Sequence, residues 1–374
     1  MYNNINSMKE DEQIMPPRGK ATLQDVASLA NVSPASASMI LQKKPGVSFS
    51  PETVSRVFAA AEELGYKKSG TTGKFDRPTI AIVFSQITSL YFTYIVQSID
   101  QKAHEMDMDT VLFEIHGDTD RQLRLLHSIY RMGFAGVILT TPPNEVTAEP
   151  ILELAKKTPT VAIGNYIENY NVDFPLDSIK TDSFQCGILA IEHLLELGHR
   201  DIAFLEVDRW DYANTGIRSF PLRGALSVIN SRSDARLTIY TLPRPNTLRA
   251  GSFIETRLLA RTAAENALKD PNHTAFLCVS DYCAYGVMDT LAAHHLRIPE
   301  DYSVCSCDNI FPSDLPGVSL TTVDRHPVEV GASSFELLYQ RISSQTPTSG
   351  DRTTRVALRS HLIVRSSTAA PRKE

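Results

Sequence analysis

At 374 residues the chain is too long for one small domain, and two or three compact units are expected. No apolar run approaches membrane-spanning length, and Met1–Gln13 lacks an apolar signal core, which argues against a membrane segment or secretory leader and for a cytoplasmic protein. The net charge of −6 is unevenly spread: seven Lys and Arg against four acids between Pro16 and Lys68 make that stretch +3 and leave −9 for the rest, so the acidic remainder repels polyanions and confines their contact to the basic part.

Residues 1–19 read as a disordered extension, and residues 20–66 as three short helices. Thr22 and Asp25 have capping-box spacing, and Leu23, Val26, Ala27 and Ala30 share one helical face. Asn31 can take the left-handed conformation that ends this helix, after which Ser33-Pro34 supplies an N-cap and a first-turn proline. The second helix, Pro34–Gln42, is dominated by the small residues Ala35, Ser36, Ala37 and Ser38. Small side chains permit close approach to a duplex, and hydroxyls can donate to phosphate oxygens. A third helix starts at Ser50-Pro51-Glu52, carries an apolar stripe of Val54, Val57, Phe58, Ala61 and Leu64, and stops at Gly65. The tight turn between the first two helices fits a helix-turn-helix, in which one helix enters the major groove and its neighbour braces it. A small helical bundle without a nucleic-acid role is the alternative.

Residues 67–78, KKSGTTGKFDRP, form a linker that is flexible by composition. Beyond it, strand-like runs alternate with helical stretches: Thr79–Phe84, then the helical Tyr94–Met106, then Val111–Glu114, Gly136–Leu139 and Thr160–Ile163. A second series follows at Ile202–Leu205, Leu237–Tyr240, Ala275–Val279 and Ser303–Cys307, with late strands near Leu320 and within Val356–Val364. Repeated βα units imply parallel sheets covered by helices on both faces. Two such series, joined again at the end of the chain, suggest two lobes. A small molecule would bind where the C-terminal ends of both sets of strands converge. The five cysteines are odd in number and include no C-x-x-C pair, so they are expected to be buried thiols of a reducing compartment, not metal or redox centres. His294-His295 is expected to be a solvated helix end.

Several sequence words together resemble the lactose-repressor (LacI/GalR) family of bacterial regulators. They are T-x-x-D-V-A-x-L-A from Thr22, V-S-x-A-S-x-S from Val32, K-P-G-V-S from Lys44 and A-A-E-E-L-G-Y from Ala60. Further blocks are Glu192–Phe204, Pro299–Asp308, Leu320–Val323 and Leu362–Ser366, so the resemblance spans roughly residues 20 to 368. It implies an all-α helix-turn-helix head followed by an α/β two-lobed, periplasmic-binding-protein-like body with parallel sheets. Residues 79–368 would bind effector and dimerise, with lobe one at about 79–178 plus 325–353, lobe two at about 179–324 plus 354–368, and 369–374 as a tail. The implied partners are a pseudo-palindromic double-stranded operator, a small-molecule effector of the sugar type and a second copy of the chain; no cofactor and no membrane are expected.

By the same resemblance, Pro34, Ala35 and Met39 face base edges. None can make the bidentate hydrogen bonds by which Arg reads guanine or Asn and Gln read adenine, so contact with thymine methyls remains. Thr22, Ser33, Ser36, Ser38 and Gln42 are assigned to the DNA backbone. Positions matching effector contacts are Tyr91 and Phe92 after the first strand, and Ser280, Asp281 and Asp308 at strand ends of the second series. A turn-forming role is the alternative for Asp308, and the single Trp210 is as suited to core packing as to stacking on a sugar ring. Where the family usually has an arginine this chain has Pro221, with Arg218 and Arg223 nearby, and where it has an aspartate after the fourth strand this chain has Gly164. The linker also departs: it is short, has two glycines and lacks the leucine that usually wedges into the minor groove, so no stable hinge helix is expected. Phe75 is a lesser candidate for the wedge.

Three classes of function fit these residues to different degrees. A ligand-responsive transcription regulator, with repression as the default, accounts for head and body. A binding protein without DNA regulation would need only the body. An enzyme would need a motif such as G-x-G-x-x-G, a P-loop, G-x-S-x-G or H-E-x-x-H, and none occurs.

Overall fold

A computed structural model describes residues 21–41, 49–64, 75–84, 88–116, 118–141, 146–164, 174–207, 219–242, 253–345 and 353–372. The chain divides into two units, Met1–Lys74 and Phe75–Glu374. In the first, α1 (Leu23–Leu29), α2 (Pro34–Leu41) and α3 (Pro51–Glu63) pack around Val26, Ala27, Ala30, Ala37, Ile40, Val57, Ala60 and Ala61. Each helix starts where its sequence offers a cap. The Thr22 hydroxyl accepts from Asp25 N while Asp25 accepts from Thr22 N, Ser33 Oγ accepts from Ser36 N at 3.0 Å, and Ser50 Oγ accepts from Thr53 N. Asn31 takes φ 53°, the left-handed turn expected of it.

In the second unit, lobe one is built from β1 (Thr79–Phe84), α4 (Leu90–Glu105), β2 (Asp109–Glu114), α5 (Thr119–Met132), β3 (Gly136–Leu139), α6 (Ala148–Ala155), β4 (Thr160–Ile163) and β5 (Asp177–Thr181). Lobe two follows with α7 (Ser183–Glu196), β6 (Asp201–Val207), α8 (Phe220–Ile229), β7 (Arg236–Leu242), α9 (Phe253–Ala267), β8 (Ala275–Cys278), α10 (Asp281–Ala293), β9 (Ser303–Asp308) and β10 (Thr321–Asp324). The chain then returns to lobe one as α11 (Pro327–Ser344) and β11 (Arg355–Leu358), and crosses back as β12 (His361–Ile363). The sheets run β11-β5-β4-β3-β1-β2 and β12-β10-β9-β8-β6-β7, parallel throughout except for the β10–β12 pair. β1, β3, β4, β8 and β9 are buried along their whole length, the mark of sheets covered on both faces.

β5 and β11 belong wholly to the first sheet, so the chain passes between the sheets near Asp182, Arg325 and Ser360. β5 itself, DSIKT, is absent from the expected strands because it lacks an apolar run. Asp177 is fully buried there by accepting from Arg341 Nε at 2.7 Å, Arg341 Nη2 at 3.0 Å and Thr354 N at 2.7 Å. Lobe two brings α7 and α8 into backbone contact through Gly187 and Gly224. A Cβ at Gly224 would lie 2.0 Å from Phe184 O, and one at Gly187 would lie 1.8 Å from Pro221 O. Among the described residues no helix is long and apolar enough to cross a membrane.

Candidate DNA-reading head and effector cleft

Helix α2 owes its orientation to two buried side chains, Ala37 at 0% and Ile40 at 4% exposure. With those facing the core, Pro34 and Ala35 are exposed and Ser36, Ser38 and Met39 half-buried, while Ser33 and Thr22 before their helices are exposed. Among the described residues of α2, the exposed and half-buried positions carry hydroxyls and short apolar groups, and none has a side chain longer than Met39. Gln42 lies outside the described residues, as do Lys43, Lys44, Gly65, Tyr66 and residues 67–74 of the linker on which the hinge-helix expectation falls. Phe75 packs on Phe134 with ring centroids 4.8 Å apart, inside a lobe-one cluster, so its ring is engaged in the body's core and not presented as a wedge.

In the body, the C-terminal ends of the strands of both lobes face each other. Leu90 N, just beyond β1, donates to Tyr282 Oη of α10 at 2.7 Å. Tyr91 supplies its ring to Arg325, whose guanidinium carbon lies 4.4 Å from the ring centroid, while Phe92 meets Tyr91 edge-on at 5.5 Å. Arg325 sits on the middle crossing and reaches into lobe two, donating from Nη1 to Asp308 Oδ1 at 2.8 Å and from Nη2 to Ser183 Oγ at 3.3 Å. Asp308 is 6% exposed; burial, reinforced by the nearby Asp281, overcomes the opposing Arg325 and pushes its carboxyl up to about 7. Its backbone has φ 132°, a conformation that L-residues rarely adopt and that costs about 1–3 kcal/mol, and such strain clusters at ligand sites.

The three crossings are hydrogen-bonded to one another. Asp182 N donates to Leu358 O, Cys186 Sγ to Ser360 Oγ at 3.3 Å, and His326 Nε2 shares a 2.8 Å bond with His361 Nδ1. Any relative rotation of the lobes must work against this lacing.

Other expected effector residues have different surroundings. Asp281 accepts at Oδ1 from Ser306 and Thr322 and at Oδ2 from Ser313 and Ile310 N, all within 2.8 Å. Its lone pairs are thereby filled from within lobe two, and burial raises its pKa despite those donors. Ser280 caps α10 by accepting from Cys283 N. Arg223 is exposed on α8 with its guanidinium over Phe220, while Trp210 and Arg218 lie outside the described residues. Arg325, Ser183 and Tyr282 were not among the sequence candidates. No motif marks them, because they meet only when the chain has crossed between lobes. All five cysteines are free and buried. Asp201, Asp270 and His273 have metal-like spacing at the opposite end of the lobe-two sheet, but Arg236 already bridges both carboxylates at 2.9 and 2.8 Å. His294 is an exposed helix end paired with Glu265.

Comparison with known proteins matches the same three parts. Residues 22–69 match bacterial regulatory proteins of the lacI family; residues 77–216 match periplasmic binding proteins and the sugar-binding domain of the LacI family; residues 191–368 match a periplasmic binding protein-like domain. The HTH-type transcriptional repressor PurR of Vibrio cholerae is 27% identical over 329 residues, covering 87% of this chain and 92% of that protein. Among solved structures, the lac repressor dimer bound to operator and the anti-inducer ONPF is 21% identical with TM-score 0.64, covering 94% of this chain and 100% of that one. An Enterococcus faecium LacI-family regulator with bound ribose is 24% identical with TM-score 0.61, covering 78% of this chain and 99% of that one. With a lacI-type head, a two-lobed binding-protein body and relatives aligned along nearly its whole length, the chain belongs to the LacI family of bacterial DNA-binding transcriptional regulators.

Proposed function

We propose that this chain is a cytoplasmic repressor that binds a pseudo-palindromic operator as a homodimer and changes its operator affinity when a sugar or sugar derivative enters the interlobe cleft. The observation that carries this is the pairing of an outward α2 surface with a body whose lobes meet through Leu90–Tyr282 and Arg325–Asp308. A ligand between the lobes has differential contacts with open and closed forms, which is the requirement for shifting their populations. Pro34, Ala35 and Met39 are assigned to base edges, and Thr22, Ser33, Ser36, Ser38 and Gln42 to phosphates. Tyr91, Phe92 and Asp308 are assigned to the effector, with Trp210, Arg218 and Arg223 as further contacts; Ser280 and Asp281 act chiefly as scaffold. For the dimer, Ile254 and Leu258 on α9, at 63% and 53% exposure, supply apolar surface that a second copy would cover. The relatives named for repressor action, operator and sugar binding support each part. The work is binding and conformational change, with no catalytic step.

The test is selection of duplexes from a random library by the full chain, with and without Met39→Arg. The unaltered chain should enrich a two-fold related site. The variant should gain a guanine preference at one position per half-site, of about 1–3 kcal/mol as expected for a bidentate arginine–guanine pair. An unchanged preference would remove Met39 from the base edges, and no enrichment by either chain would remove the regulatory reading.

A further inference from the structure

The cleft-facing groups differ in what they leave unsatisfied. The carboxylates are engaged: Asp281 by four donors, Glu206 by Ser219 N at 2.7 Å, Asp182 by Gln185 N at 3.0 Å, Asp324 by Asn309 Nδ2 and His326 N, and Asp308 by Arg325. Arg325 is different. Its Nε is buried without a hydrogen-bond partner, although the guanidinium already spans Asp308 and Ser183. A guanidinium nitrogen only donates, so what is missing is an acceptor. The Tyr91 ring beneath it fixes the guanidinium plane and hence the direction in which Nε points. The Oγ1 of Thr140, immediately past the C-terminal end of β3 in lobe one, is also buried without a partner.

We propose that the effector is an anionic sugar derivative whose acidic group is received by Arg325 through Nε, with Thr140 meeting a hydroxyl of the same molecule. This rests on the interlobe cleft being the effector site. A hydroxyl oxygen of a neutral sugar could accept from Nε, but an oxyanion accepts with its charge as well, and a charge-assisted bond to a guanidinium is roughly twice as strong as a neutral one. The countercharge on Arg325 is also incomplete: burial and Asp281 push the Asp308 carboxyl up to about 7, so near pH 7 part of it is protonated and cationic character is left for a ligand to match. Planar carboxylates fit the guanidinium edge in two-point fashion, and phosphates share the same charge, so both sources belong in the test.

The experiment is thermal-shift and titration of the full chain with matched sets: glucose, glucuronate and glucose 6-phosphate; galactose and galacturonate; ribose and ribose 5-phosphate. At least one acid should bind about ten- to a hundredfold more tightly than its neutral parent, the range of a hydrogen bond to a charged group. Arg325→Gln should erase that ratio, while Arg325→Lys, which keeps the charge but loses the fork, should retain part of it even if both variants melt earlier. Which acid binds distinguishes carboxylate from phosphate. Neutral binders that equal or exceed their acids would overturn the proposal and leave the effector cleft standing. An acid preference that survives Arg325→Gln would overturn the assignment to Arg325, and silence from neutral and acidic members alike would overturn the effector reading as well.

Discussion

Asp177→Ala should lower the free energy of unfolding by about 3–5 kcal/mol, the range for breaking a buried ion pair by removing one partner. Asp177 is fully buried, and its carboxylate joins three segments distant in sequence: β5, the α11 helix through Arg341, and the lead into β11 through Thr354 N. Without it, the largely buried Arg341 keeps its charge and loses both bonds to Asp177, and Thr354 N loses its acceptor. The cost comes from those stranded groups more than from any net attraction. Urea unfolding of Asp177→Ala and of the double variant with Arg341→Met separates the two. The double variant should recover most of the loss, whereas a single-variant loss below about 1 kcal/mol would mean that the pair behaves like an exposed one. Because β5 and β11 lead into two of the three lobe crossings, the damage should extend to ligand response.

Gly224→Ala is the second large effect. Alanine in a helix interior gains about 0.8–1 kcal/mol of propensity over glycine, which alone would stabilise α8. Here that gain is outweighed, because the new methyl would lie 2.0 Å from the carbonyl oxygen of Phe184 and 3.2 Å from Ile188 N, backbone atoms that cannot swing aside. The helices must separate, at an overpacking cost of typically about 1–3 kcal/mol and here at the upper end. A Cβ added at Gly187 would in turn lie 1.8 Å from Pro221 O, so the two glycines form one reciprocal helix–helix contact. The N-terminal turn of α7 holds Ser183 and Cys186, which touch Arg325 and Ser360 at the crossings. Separation should therefore weaken effector binding as well as lower the melting temperature. A Gly224→Ala chain at least as stable as the original would show that α7 and α8 can part freely.

The head was legible because its signals are local. The Thr22–Asp25 box, Asn31 and Ser33-Pro34 act within four residues of themselves, and the structure uses each as the sequence suggests. Apolar strands such as Thr79–Phe84 and Thr160–Ile163 were legible from continuous burial-type runs. β5 was not, since its polar residues are tolerated only through a partner more than 160 positions later. The same limit applies in the cleft. Asp281 and Asp308 both end strand regions of lobe two and look alike in sequence, yet one is filled by four internal donors and the other faces Arg325 across a crossing. Arg325 itself stands in an undistinguished TTVDRHP stretch, and only the crossing of the chain between lobes brings it to Tyr91.

The central claim is that a ligand in the body changes how tightly the head holds DNA. It is tested most directly by measuring the affinity of the full chain for its selected operator, at fixed salt, with and without a saturating cleft ligand. The expected result is a change of about 5- to 150-fold in operator affinity, matched by the same factor in ligand affinity when operator is present, since coupling between two sites is reciprocal. Operator affinity that stays constant while the ligand saturates the body would contradict the account.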